Sequence, residues 1–147
     1  MKALPEGFET GRLTDALADG WDLDVETIEF APVGFGSYHW VATDSVGTRR
    51  FVTVDDLDLK PWLGDDRPSV FEGLTRSFGS AVALRDAGLD FVVAPIDTSD
   101  GKPVRRLGDR YTVALFPFVE GTAGRSFDYD TAEERGAAVN LLARLHR

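Results

Sequence analysis

The sequence predicts an α+β fold: a five-stranded antiparallel sheet with one helix packed against it, followed by a linker and a final helix. Two observations support this class. Short runs rich in aromatic and β-branched residues are separated by Gly, Pro and Asp, as expected for strands joined by tight turns. Three longer segments carry apolar residues at helical spacing. The predicted order is helix, three strands, helix, two strands, helix.

The first half of the chain predicts a helix and an antiparallel meander. Apolar residues recur every three or four positions from Thr10 to Trp21, which indicates a short amphipathic helix. Aromatic and β-branched residues then favour strands, and these strands are expected over 25–33, 38–43 and 50–54. Turns at 34–37 and 44–48 are short enough to make neighbouring strands antiparallel.

The second half predicts a longer helix, two strands and a last helix. Ser69 is a candidate N-cap, with Glu72 three residues later, and an apolar stripe continues until Gly88. Residues 55–69 are acidic and contain Pro61, Gly64 and Pro68, so they predict a surface connection. The remaining elements are strands over 91–95 and 111–116 and a helix over 131–147.

Composition excludes several classes of function. The chain has 147 residues, 16 Lys and Arg against 25 Asp and Glu, a net charge of −9 and no Cys. Disulfides and thiolate zinc sites are therefore excluded. The acidic balance argues against nucleic acid and anionic membranes as partners, since both attract clustered Lys and Arg. With no apolar run near the roughly 20 residues of a membrane helix, we expect a cytoplasmic protein.

A Gly-rich turn is the strongest candidate for binding chemistry. Gly34, Gly36 and Ser37 lie between two predicted strands, whereas dinucleotide-binding and Walker loops need a helix directly after their glycines. The pattern Gly34-x-Gly36-x-Tyr38-x-x-Val41 instead suits a kinase-type β-hairpin lid over phosphates, with His39 in the place of the third glycine and an aromatic at the loop tip. The alternative is a plain Gly-rich hairpin turn.

Four segments in order resemble one family. Residues 34–40, 50–57, 117–121 and 141–146 are similar to the aminoglycoside phosphotransferase family, in the branch of the spectinomycin phosphotransferases. The resemblance implies a protein kinase-like fold. It further implies a nucleotide-binding N-lobe over 1–120, a linker over 121–130 and the first helix of a truncated C-lobe over 131–147.

The resemblance also implies which residues would bind the nucleotide. The phosphate-covering loop matches Gly34, Gly36, Ser37 and Tyr38. The adenine hinge matches Phe116 to Val119, with Val119 as a candidate donor because Pro117 has no N–H. Apolar walls for the base would come from Val33, Val41 and Leu115.

The third strand departs from the kinase pattern. Kinases carry a Lys there, paired with a Glu on the following helix, but the matching residue is Thr53 and the strand has no Lys. Glu72 is the earliest carboxylate of the predicted helix. Either another cation reaches the phosphates, the nearest in sequence being Arg49, Arg50 and Lys102, or nucleotide binding is weakened or lost. The second option makes the chain a non-catalytic, kinase-like interaction module.

Cofactors and partners follow from the resemblance. It implies ATP, Mg²⁺ held through the missing lobe, and a small-molecule hydroxyl acceptor. The family's catalytic and metal-binding residues lie beyond the match at Leu145-His146, so no catalytic or metal residue is expected within this chain, and it should not transfer phosphate alone. A dimer through the exposed lobe face is possible. A self-contained α+β domain unrelated to kinases is the third option.

Two further groups of residues are expected to have no role in binding or catalysis. His39 and His146 are isolated and are expected to be structural or exposed to solvent. Asp55, Asp56 and Asp58 could resemble a cation cluster, but a solvated acidic loop is favoured because no calcium-loop pattern follows them.

Overall fold

The structure, a computed structural model, describes residues 3–5, 7–121 and 131–146. Its helices and strands are α1 (Thr10–Trp21), β1 (Val25–Ala31), β2 (Tyr38–Asp44), β3 (Arg49–Asp56), α2 (Arg67–Asp86), β4 (Arg105–Leu107), β5 (Tyr111–Pro117) and α3 (Ala132–Leu145), with a short 3-10 turn at Leu57–Leu59. The strands form one antiparallel sheet in the order β1-β2-β3-β5-β4. This confirms the predicted α+β class and its five-stranded sheet.

The two faces of the sheet contact different helices. On one face, alternate residues of β2, β3 and β5 form a core with α1; its members include Trp40, Val52, Val54, Val113 and Leu115 packed with Leu13 and Leu17. We call this the α1 face. Because side chains alternate along a strand, the intervening residues lie on the opposite side, where Phe116 of β5 meets Phe78 of α2. We call that side the α2 face.

One of the five strands is not where the sequence placed it. Residues 91–95 do not form a strand, although Ala94 and Pro95 are buried. The backbone turns here, and only Ile96 bridges to Leu115. The edge strand is instead β4, Arg105–Leu107, which pairs with β5. A charged edge strand is common because it discourages pairing with other chains, but three residues are too few to show a period.

The start of α2 also differs from the prediction. The helix begins at Arg67, and Asp66 is the N-cap, its side chain accepting a hydrogen bond from the Ser69 backbone N–H at 2.8 Å. Ser69 is therefore the third helical residue, and its hydroxyl closes the capping box by accepting from the Asp66 N–H at 3.1 Å. The predicted N-cap at Ser69 is wrong because two residues of this box can both bond the helix start.

The connection between β3 and α2 is partly buried rather than a surface segment. Asp55, Asp56, Leu57 and Lys60 are all less than a tenth exposed. Leu57 packs with Val70 and Leu74 of α2 in a second, smaller core. The prediction of a solvated acidic loop is therefore wrong for the first residues of this segment.

The last helix carries exposed apolar side chains. Val139, Leu141, Leu142 and Leu145 are each more than a third exposed. Arg144 forms an ion pair with Asp90 at 2.6 Å and lies over the Phe91 ring. Of the predicted linker over 121–130, residues 122–130 lie outside the described residues, as does Arg147. In the described part of the chain, no helix has the length and apolar character needed to cross a membrane.

Candidate functional site

The Gly-rich turn joins β1 to β2 with two residues in the left-handed region. Gly34 has φ +72° and Gly36 has φ +84°, a conformation that costs little only for glycine. A Cβ on Gly34 would lie 2.8 Å from Nε2 of His39, so this glycine also provides room for the imidazole. A Cβ on Gly36 would meet nothing within 4 Å. The turn thus offers a backbone surface with little side-chain obstruction.

The aromatic residue at the loop tip is Phe35, not Tyr38. The Phe35 side chain is fully exposed, whereas Tyr38 is buried in the core on the α1 face. Tyr38 is the first residue of β2 and shares the parity of Trp40, so strand alternation turns its ring away from the α2 face. Only its backbone could contact a ligand beneath the loop, and the prediction of Tyr38 as the tip aromatic is wrong.

Thr53, the predicted counterpart of the kinase lysine, lies on the α2 face of β3. Its Oγ1 lies 3.2 Å from Nδ1 of His39, directly across the β2–β3 pair. The His39 ring in turn stacks on Phe51, with centroids 5.0 Å apart. Burial lowers the pKa of His39, so the imidazole is neutral at pH 7. The position that kinases fill with a cation holds an uncharged hydrogen-bonded pair.

A buried ion pair lies between this face and the Gly-rich turn. The Lys60 Nζ is 2.8 Å from Oδ1 of Asp55, and both side chains are less than a tenth exposed. The same ammonium donates to the Gly36 carbonyl at 3.0 Å and to the Ser37 hydroxyl at 3.4 Å. Ser37 Oγ donates to Asp55 Oδ1 at 2.5 Å. Lys60 therefore connects β3 to the underside of the turn.

Sequence reasoning missed Lys60. It follows β3 in an acidic segment with turn-forming residues, a composition typical of exposed loops. The available signal was the short separation in sequence between Lys60 and the aspartates at the end of β3. A lysine that follows a strand so closely can form an ion pair with a carboxylate at the end of that strand. The three cations proposed instead lie elsewhere. Arg49 pairs with Glu120, Arg50 donates to the Arg49 carbonyl, and Lys102 pairs with Asp100.

The predicted hinge follows β5 at the other end of the α2 face. Phe116 packs edge-on against Phe78 of α2, with ring centroids 5.7 Å apart. Arg49 lies 4.0 Å from the ring centre of Phe118 and forms an ion pair with Glu120. Val119 is 61% exposed, so its backbone N–H lies in an open segment. The start of β3 thus contacts the segment that follows β5.

Of the three residues predicted as apolar walls, one lies on the wrong side. Leu115 is buried in the core on the α1 face. Val41 alternates with the core residues Trp40 and Ala42, so it lies on the α2 face. Val33 is half-exposed beside the turn. On β5, the residues that share the α2 face with Thr53 are Thr112, Ala114, which is its direct partner, and Phe116.

The acidic residues near the end of β3 are each paired with a cation. Asp56 is 1% exposed and accepts hydrogen bonds from Arg110, the shortest at 2.7 Å. Asp58 accepts two from Arg67, and the hydrogen bond from Arg67 lowers the pKa of Asp58. Within the described ranges, no group of three His, Cys, Asp or Glu could hold a metal ion. Glu72 is exposed and lies 3.7 Å from Arg76 on its own helix.

A sizeable cavity lies away from the Gly-rich turn. It measures about 820 Å³ and lies between α1, α2 and the 98–106 segment. Its lining charges include Arg76 and Lys102, which pair with Glu72 and Asp100, and Arg105, which donates to the Ala16 carbonyl. Of the residues considered for nucleotide binding, Lys102, a candidate cation, lines it, whereas those of the Gly-rich turn and the hinge do not.

A Gly-rich hairpin at one end of a five-stranded antiparallel sheet, with a helix against the same face, defines a kinase-like lobe. Two solved structures share this fold. Spectinomycin phosphotransferase APH(9)-Ia, in complex with ADP and spectinomycin, matches with a TM-score of 0.69 and 17% identity over 96% of this chain and 38% of that chain. Amicoumacin kinase hAmiN, in complex with AMP-PNP, Ca²⁺ and Ami, matches with a TM-score of 0.55 and 14% identity over 83% of this chain and 34% of that one.

These similarities show the fold. The chain spans a little over a third of the length of either phosphotransferase. No protein-family model matches the sequence, and no curated protein matches it significantly. The predicted kinase-like fold of the aminoglycoside phosphotransferase type is confirmed, and the option of a domain unrelated to kinases is wrong.

Proposed function

We propose that this chain is the ATP-binding lobe of a small-molecule O-phosphotransferase that acts on an aminoglycoside-like hydroxyl acceptor. The observation that carries the proposal is the Gly34–Ser37 turn between β1 and β2, in which Gly34 and Gly36 both have a positive φ and a Cβ on Gly36 would meet nothing within 4 Å. Where a turn points several successive backbone N–H groups at one place, these groups bind phosphate oxygens well. Both structural neighbours were solved with an adenine nucleotide or its analogue.

The residues on the α2 face suit the parts of a nucleotide in order. Gly34, Gly36 and Ser37 would cover the phosphates, with the backbone of Tyr38 beside them. The base would lie near Val41 and Phe116, which supply apolar surface, and the backbone of Val119 would provide a hydrogen bond to its edge. Thr53 lies between these two ends and offers a hydroxyl rather than a charge.

Catalysis would require groups that this chain does not supply. Mg²⁺ would enter with the nucleotide and be held by carboxylates of a second lobe, together with the base that activates the acceptor hydroxyl. The N-lobe would cover residues 1–120, and α3 would be the first helix of the second lobe, joined by the predicted linker. We place the reaction in the cytoplasm, where ATP is available.

Calorimetry tests the proposal. ATP·Mg²⁺ and adenosine would each be titrated into this chain and into a version extended beyond Arg147. We expect saturable binding of ATP with one site per chain, tighter in the extended form, and weaker binding of adenosine because it lacks phosphates. If neither form binds ATP, the proposed function is wrong.

One observation favours a second function, that of a non-catalytic kinase-like interaction module. The neutral Thr53 and His39 pair stands where kinases hold a lysine. This function predicts that Thr53→Lys brings no gain in ATP affinity and that the chain captures a protein partner tightly. The exposed apolar residues of α3 are the surface that we propose for a second lobe or a second copy; light scattering at increasing concentration would separate a dimer from a monomer.

A further inference from the structure

The α2 face has a cation, but it comes from outside the strand. Nucleotide phosphates are strongly anionic, and kinases bind them with a lysine on the third strand. Here the ammonium beneath the Gly-rich turn belongs to Lys60, which lies in the connection between β3 and α2. Arg49 and Arg50 are at the opposite end of β3, where Arg50 is paired in register with Pro117.

The ammonium of Lys60 lies close to where a strand lysine would place its own. Asp55 is two residues beyond Thr53, so both side chains lie on the α2 face, with backbones roughly 7 Å apart. Lys60 Nζ meets Asp55 at 2.8 Å and the Gly36 carbonyl at 3.0 Å. A strand lysine usually pairs with a helix glutamate. In this chain the strand supplies the carboxylate, Asp55, and the following connection supplies the lysine.

An incoming phosphate could replace some of the hydrogen-bond acceptors of Lys60. Two of its acceptors, the Gly36 carbonyl and the Ser37 hydroxyl, are uncharged. A phosphate oxygen carries negative charge, so it attracts the ammonium by Coulomb interaction in addition to the hydrogen bond, which a neutral acceptor does not. A phosphate could replace the two neutral acceptors while Asp55 keeps the ammonium in place. A buried ion pair by itself adds little stability, so this position suits a binding role.

We propose that Lys60, oriented by Asp55, is the cation that contacts the nucleotide phosphates beneath the Gly34–Ser37 turn, in place of a strand lysine. This inference rests on the proposed function and adds a residue to it. It also explains how Thr53 can replace the lysine of β3 without loss of binding.

Calorimetric titration of variants tests the inference. Lys60→Met should weaken ATP·Mg²⁺ binding by roughly 10- to 100-fold, the value of one charge-assisted hydrogen bond, and leave adenosine binding unchanged. Lys60→Arg should retain most of the affinity. Lys102→Met is the matched control, because Lys102 is also paired with an aspartate but is exposed and remote from the turn.

A second variant separates a loss of binding from a loss of folding. Lys60→Met leaves Asp55 buried without its partner, so Asp55→Asn with Lys60→Met removes both charges, and its unfolding midpoint and adenosine affinity show whether the lobe is intact. The inference is overturned if Lys60→Met binds ATP as the wild type does, or if ATP and adenosine affinities fall equally. If the wild type binds ATP and only the variant result fails, the proposed function stands. If neither this chain nor the version extended beyond Arg147 binds ATP, both are wrong.

Discussion

Thr53 and His39 face each other across β3 and β2, with Oγ1 and Nδ1 3.2 Å apart, and Thr53 is the residue that we match to the phosphate-binding lysine of kinases. A lysine at residue 53 would have to share this space with the imidazole, which also fills the room left by Gly34. His39 and Thr53 therefore form one hydrogen-bonded pair across the two strands. Lys60 pairs with Asp55 and donates to the Gly36 carbonyl of the turn.

The turn glycines permit a matched comparison. Gly36 and Gly47 have nearly the same φ, +84° and +81°, and a Cβ at either meets nothing within 4 Å. Gly36→Ala and Gly47→Ala should therefore each lose about 1 kcal/mol of stability from backbone strain. Only Gly36→Ala should also weaken ATP binding, by roughly tenfold, because only Gly36 lies in the proposed phosphate loop. Equal ATP affinities for the two variants, measured by calorimetry, would contradict this role for the turn.

His39 should make stability depend on pH near neutrality. Burial lowers the pKa of His39 in the folded protein, so between the folded and unfolded pKa values the unfolded chain binds more protons. The contribution of His39 is complete above about pH 6.5 and is lost as the pH falls below it. Carboxylates with a lowered pKa, such as Asp58, lose theirs only below about pH 4.

Urea unfolding at about pH 8 and about pH 5.5 measures this effect. His39→Asn should reduce the stability difference between the two conditions, whereas His146→Gln, at the exposed end of α3, should retain it. If His39→Asn keeps the wild-type difference, the imidazole is not the group that titrates.

Thr112 offers a stabilising substitution. Its side chain is fully buried, and among the described residues its hydroxyl has no hydrogen-bond partner. Replacing this hydroxyl by a methyl group removes an uncompensated desolvation cost, so Thr112→Val should raise the free energy of unfolding by about 1 kcal/mol. Thr98 is also buried but bonds Asp100 and the Lys102 carbonyl, so Thr98→Val should destabilise. Denaturant titration of both variants decides; destabilisation by Thr112→Val would show that the hydroxyl is satisfied.

The ion pair between Arg110 and Asp56 should matter more than a surface pair. Asp56 is 1% exposed, so Arg110→Met would leave a buried carboxylate without its main partner and lower the unfolding temperature, though less than for a fully buried pair because Arg110 is half-exposed. Arg76→Met, which breaks an exposed pair with Glu72, should change stability by less than about 0.5 kcal/mol. Equal effects in thermal unfolding would contradict this ranking.

Much of the fold could be predicted because apolar residues recur with a regular period in the sequences of strands and helices. The alternation along β2 and β3 and the apolar spacing of α1 identified these elements with small errors at their ends. The apolar run at 91–95 predicted a strand because burial, not pairing, determines its composition: Ala94 and Pro95 are buried without a neighbouring strand. The edge strand β4 is charged and three residues long, so it carries no such record.

The candidate site was harder to predict. The glycines were identified from their spacing, but the faces on which Tyr38 and Leu115 lie depend on which residues α1 covers, and alternation alone does not distinguish the two faces. Lys60 was missed because its burial depends on Asp55 and the Gly36 carbonyl, which only folding brings together. A charged residue in a loop is exposed unless the tertiary structure supplies partners.

The most direct test of a nucleotide site beneath the turn is a ¹⁵N–¹H correlation spectrum of this chain, titrated with ATP·Mg²⁺. We expect the backbone amide signals of Gly34, Gly36, Ser37 and Val119 to shift together and saturate, while those of Gly47 and Gly101, in turns elsewhere in the structure, stay in place. Saturable shifts confined to the residues around the 820 Å³ cavity, or no shifts at all, would contradict this expectation.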